Sequence, residues 1–185
     1  VSNDLGECDA VVNYAAPVGA DNCPGSTTVL LSGPAPGSIF PLGDTVVTYQ
    51  VTDASNNVTT CSFKVTVNDT QAPAIVCPTD IVVSNDTDSC DAVVTYTAPV
   101  GTDNCVTGVT TTQTDGTGLS SGSTFPVGVT TLEYTVTDAS NNVTTCSFNV
   151  TVNDTQAPAI VCPTDIVVSN DLGECDAVVN YAAPV

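Results

Sequence analysis

Two residue types in this chain could do chemistry, cysteine and aspartate, and both are spread at intervals instead of gathered in one run. There are nine cysteines in 185 residues, with no Cys-x-x-Cys pair and no histidine. Structural zinc sites bring their ligands two to four residues apart, so this spacing points away from zinc. It reads as disulfides formed in an oxidising compartment. The acids number twenty, only Glu7, Glu133 and Glu174 being glutamates, against a single base, Lys64. Aspartates beside asparagines offer the oxygen donors that a hard divalent cation takes. A cation would also relieve the self-repulsion of a net charge of −19. The same residues are turn formers, accepting hydrogen bonds from nearby backbone.

The balance excludes several function classes. Without arginine or a basic patch there is no electrostatic footing for nucleic acid or for an anionic membrane surface. Neither histidine nor an activated nucleophile arrangement is present, so no catalytic residue is assigned. No stretch approaches the ~20 apolar residues of a membrane helix. Nor does a basic, signal-like segment open the chain, as expected of a mature exported protein or a fragment of one. Asn-x-Thr sequons at Asn57, Asn68, Asn85, Asn142 and Asn153 would be glycan acceptors only in a eukaryotic secretory route.

The elements that must position these residues are strands. The apolar set is mostly valine, and valine and threonine branch at Cβ, which suits a pleated surface better than a helix. Twelve prolines and thirteen glycines lie among Asp-Asn-Ser clusters and punctuate the chain with turns. Residues 51–86 recur at 136–171 with one change, Lys64 to Asn149, a spacing of 85 residues. Residues 1–18 return unchanged at 168–185, so a two-repeat unit of 167 residues re-enters its own beginning. Such long, near-identical repeats mark an array in which each module contacts its neighbours. The expected organisation is a module at 1–69 lacking its first strand, a complete module at 70–154, and the start of a third at 155–185. These ends read as cuts through a longer covalent array.

In the complete repeat, Cys77–Ser84 is the expected first strand, and Cys90–Tyr96 alternates with period two. Thr130–Thr137 and Val143–Val152 flank a turn at Asp138–Asn142, while Val106–Ser121 holds one or two short strands. Cys146, Phe148, Val150 and Val152 share one face. The fold class is all-β, with tandem immunoglobulin-like sandwiches of about seven strands per module.

Several motifs resemble the hyalin repeat (HYR) family. They are Ala72-Pro73 followed by Cys77-Pro78, Asp103-Asn104-Cys105, Phe125-Pro126-Val127-Gly128, and the stretch from Tyr134 through Asp138 to Cys146 and Phe148. The resemblance implies an extracellular, adhesive or scaffolding module, as in the stalks of large bacterial surface adhesins. Asn142 stands where the family has glycine, and asparagine tolerates the left-handed backbone expected there. The linker Val-Asn-Asp-Thr-Gln-Ala-Pro loosely resembles the calcium-binding linkers of cadherins.

In an immunoglobulin-like topology the linker Asn68-Asp69, the loop Asp103-Asn104 and the turn at Asp138 converge at one pole. Calcium is therefore expected there, on Asn68, Asp69, Asp103 and Asp138. The equivalent positions in the other copies are Asn153, Asp154, Asp21 and Asp53. The favoured disulfides are Cys77–Cys105 and Cys90–Cys146, hence Cys8–Cys61, with Cys77–Cys146 plus Cys90–Cys105 as the alternative. Two functions remain open: a structural stalk assembled from the chain's own repeats, or a module binding surface glycans or proteins through loops such as Val106–Ser121.

Overall fold

The computed structural model describes residues 1–183, and among them are eleven strands and no helix. The last two residues of the expected third module lie outside the described residues. The first unit holds β1 (Asp9–Val12), β2 (Thr27–Ser32), β3 (Ser38–Pro41), β4 (Gly43–Thr52) and β5 (Val58–Val67). Its sheets are β2-β4-β5 and β1-β3. The second unit holds β6 (Ile81–Ser84), β7 (Asp91–Val93), β8 (Thr110–Gln113), β9 (Thr124–Pro126), β10 (Gly128–Thr137) and β11 (Val143–Asn153). Its sheets are β6-β11-β10-β8 and β7-β9. Residues 154–183 carry no strand.

Alternation of side chains builds each core. Ala92, Val94, Phe125, Leu132, Tyr134, Phe148, Val150 and Val152 are buried together in the second unit. Ala10, Val12, Phe40, Val47, Tyr49 and Val67 form the matching core of the first. The two differ where β6 lies. Ile81 and Val83 of β6 pack on the second core, where Phe148 is 3% exposed and Val150 fully buried. Phe63 and Val65, the copies of Phe148 and Val150, stay only partly buried in the first unit, where the β6 position is held only by the parallel bridge of Ser2 to Asn68. Burial of β11's inner face thus depends on a strand that precedes it by about 70 residues and pairs with it in parallel.

The sandwich departs from the expected pattern in its strand count. The second unit has six strands split four and two, and Val106–Ser121 contributes only β8. After β8 the chain is held by a side chain instead of a ladder. Asp115 accepts hydrogen bonds from Thr117 N (2.8 Å) and Oγ1 (2.5 Å), Gln113 Nε2 (2.8 Å) and Glu133 N (3.1 Å). Burial alone would raise its pKa, but these donors outweigh it and hold the carboxyl at about 2, below its ordinary 3.8. A depressed carboxylate pKa stabilises the fold above the unfolded value, and that contribution fades as pH falls from about 4 towards about 2. Asp115→Asn should therefore melt below the parent at neutral pH, with the two melting temperatures converging towards roughly pH 2. Curves that stay parallel would show that Asp115 does not anchor the loop.

The turn between β10 and β11 is also organised by aspartate. Asp138 Oδ1 accepts from Ser140 N and Asn142 N, each at 2.8 Å. The left-handed residue is Asn141 (φ 67°), one position before the expected Asn142. Asn142 instead spends its amide on Asp138 Oδ2 at 2.8 Å and on the linker carbonyl of Asp69 at 3.3 Å.

Candidate functional site

The junction between the two units is assembled from the linker, the loop before β8 and the β10–β11 turn. The linker is held by main chain: Ala74 N donates to Thr102 O (2.7 Å) and Thr102 N to Ala74 O (2.8 Å). This bridge sets Asp69 beside the next residues of the loop, Asp103-Asn104-Cys105. Gly101 allows the approach. A Cβ there would lie 2.4 Å from both methyl carbons of Val136, inside the core-facing side of β10. Gly101→Ala should cost about 1–3 kcal/mol by overpacking, read from denaturant midpoints at constant slope. A loss below about 0.5 kcal/mol would mean the loop yields freely.

Carboxylate oxygens of Asp69 and Asp103 and the sulfur of Cys105 all lie within 4.8 Å of one another. Asp69 is 7% exposed, and its Oδ1 accepts from Gln71 N at 3.1 Å. Asp103 Oδ1 accepts from Cys105 N at 2.9 Å, whereas Asp103 Oδ2 and Asn104 Oδ1 are buried with no partner among the described residues. Buried oxygens normally find a donor or a cation. The donor set is hard, and the Cys105 sulfur is bonded to Cys8 and so offers no thiolate for a soft metal.

The expected ligands separate on these grounds. Asp69 and Asp103 come together. Asp138 is 5% exposed at the same pole but turns both oxygens into its own loop. Asn68 is exposed at the end of β5, and its main chain bonds Val1 and Asn3. Asn153 accepts from Asn85 N through its carbonyl, and exposed Asp154 accepts from Gln156 N at 3.1 Å. In the first unit Asp21 accepts from Cys23 N at 3.0 Å on an exposed loop. Asp53 accepts from Asn57 and Ser55, and these bonds, Asn57's side chain first, hold its carboxyl below the ordinary range.

The cysteines pair differently from the favoured scheme. Cys77 bonds Cys146, and Cys8 bonds Cys105. Cys77–Cys146 belongs to the alternative scheme, but its companion Cys90–Cys105 does not form, and neither do Cys77–Cys105, Cys90–Cys146 or Cys8–Cys61. The parallel register of β6 on β11 sets Ile81 opposite Val150, and carried back four residues it sets Cys77 opposite Cys146. Cys90 precedes β7 in the other sheet and is exposed, as is Cys61. Cys105, 4% exposed, faces out of its own unit into the preceding one. Its neighbour Asn104 donates to Glu7 O at 2.6 Å. Cys8 immediately precedes β1, at the end of its unit that meets the loop carrying Cys105, a placement that the docking of the two units decides.

The repeat geometry accords with the comparison with known proteins, which matches the HYR domain at residues 2–67 and again at 68–152. The chain belongs to the HYR domain family. It is 36% identical over 187 residues to hyalin of Strongylocentrotus purpuratus and 35% over 189 residues to hyalin of Lytechinus variegatus. It covers 15% and 34% of those proteins' lengths, with 97% and 98% of this chain aligned. A mouse protein with sushi, von Willebrand factor type A, EGF and pentraxin domains is 31% identical over 150 residues, 77% of this chain and 4% of its own length. Among solved structures, human protocadherin-24 EC1-2 superposes with a TM-score of 0.36 at 17% identity, covering 72% of this chain and 85% of that one. HYR modules are extracellular, adhesive or structural, and non-catalytic. No helix among the described residues is long and apolar enough to cross a membrane.

Proposed function

We propose that the tandem HYR modules form the stalk of an extracellular filament or large surface adhesin, with each junction held rigid. The observation that carries this reading is the Cys8–Cys105 bond, a covalent link across the junction in addition to the linker itself. With the Ala74–Thr102 bridge and the Asn104–Glu7 hydrogen bond, it removes the hinge that a short linker would otherwise leave. Aromatic placement favours a stalk over a glycan-binding module. Phe40, Tyr49, Phe125, Tyr134 and Phe148 are buried, and Tyr14, Phe63 and Tyr96 pack against the cores, leaving no ring platform on either folded unit. Calcium is the cation that suits the junction, with Asp69 and Asp103 as carboxylate ligands and Asn104 Oδ1 as a neutral one. It would offset carboxylate repulsion where two modules meet. Imaging of the native material tests the stalk: a beaded fibre one module wide is expected, and discrete globular particles would overturn it.

A further inference from the structure

The Cys8–Cys105 bond has two halves, and each half is repeated in the chain with its local geometry intact. The receiving half is the linker folded onto the pole of the preceding module. At the first junction Gly6 N donates to Gln71 Oε1 (2.8 Å), Thr70 N to Asn3 Oδ1 (3.1 Å), and Asn3 Nδ2 to Glu7 O (2.9 Å). At the second, Asp88 N donates to Gln156 Oε1 (2.8 Å), Thr155 N to Asn85 Oδ1 (3.0 Å), and Asn85 Nδ2 to Ser89 O (2.8 Å). The inserting half is the Asp-Asn-Cys loop. Cys105 N donates to Asp103 at 2.9 Å and Cys23 N to Asp21 at 3.0 Å. Asn104 Nδ2 and Asn22 Nδ2 each lie 3.6 Å from the sulfur that follows.

What differs is occupancy. At the first junction Asn104 and Cys105 fill the receiving half. At the second there is an open cavity of about 550 Å³ lined by Asn85, Asp88, Ser89, Cys90, Asp154 and Gln156, with the linker continuing along its wall. Cys90 is exposed there, as Cys23 is on the unpaired inserting loop.

We propose that this cavity receives the Asp-Asn-Cys loop of the next module along the same chain, and that Cys90 forms with it the same disulfide that joins Cys8 to Cys105. Ser89 O would accept the incoming asparagine amide as Glu7 O does. By the same logic Cys23 is the inserting cysteine for a preceding module. Every junction is then stapled by one repeated bond, distinct from the Cys77–Cys146 bond that closes the second module internally. Forming the staple oxidises two thiols to one disulfide, and the two electrons and two protons pass to a small-molecule disulfide that leaves as two thiols. The inference deepens the stalk reading and rests on it for the existence of a following module.

The test extends the full chain past residue 185 by residues 19–69, which continue the repeat in register. Non-reducing peptide mapping should link Cys90 to the appended copy of Cys23 within one chain, with loss of Cys90 alkylation. In Cys90→Ser the appended copy of Cys23 should become alkylatable while Cys8–Cys105 persists. Cys90 remaining alkylatable, or bonded within its own module, would overturn the proposal. A linkage only between chains, seen as a ladder on a non-reducing gel, would overturn it as well. Microscopy of the same material separates this from the stalk reading: linear beads with free Cys90 remove the staple alone, and compact particles with the staple formed remove the stalk alone.

Discussion

Cys77→Ser with Cys146→Ser should lower the stability of the second module by about 4 kcal/mol, the chain-entropy value for a loop of this length. The bond spans a sequence separation of 69 residues and fastens β6, the strand that completes the core around Phe148 and Val150, to β11. Its loss acts twice, by enlarging the unfolded ensemble and by letting the edge strand fray. Calorimetry under non-reducing conditions should show the second module's transition falling while the first module's stays in place, because Cys77 and Cys146 touch only the second core. A loss under about 1 kcal/mol would mean that strand pairing alone fixes β6.

The second large effect concerns the cation. At free calcium a hundredfold above its dissociation constant, a bound ion contributes about 2.7 kcal/mol. Asp103→Asn gives this a sign that simple destabilisation would not. In calcium the variant should melt below the parent, having lost a charged ligand. With chelator it should melt at or above the parent, because Asp103 then faces Asp69 with no counter-charge and the amide removes one of the two. Oδ1 keeps its bond from Cys105 N in the parent and in the variant alike, so the loop stays formed. The same order of stability in both conditions would remove calcium from the junction.

Local features were legible in the sequence because their causes are local. Period-two alternation identified the inner face of β11, and Asp-rich segments identified the β10–β11 turn. The loop after β8 was less legible, because Asp115 closes it with side-chain bonds that leave no periodic trace. The position of the left-handed residue slipped by one, since Asn141 and Asn142 are chemically identical and only the hydrogen bonds of Asp138 distinguish them.

The cysteines and acids that do the chemistry mark the limit most clearly. Cys23 and Cys105 follow the same Asp-Asn dipeptide, yet one is exposed and the other 4% exposed and bonded. Asp53 and Asp138 open the same turn, but only Asp138 is buried against a linker. By itself the sequence determined strand faces and turns, which follow from neighbours within a few residues, and the repeat length, which follows from self-similarity along the chain. Which sulfurs meet, and which carboxylates are shut away from water, was decided only by the tertiary structure. Those outcomes depend on a parallel strand from about 70 residues away and on one module docking against the next, and no local pattern encodes either.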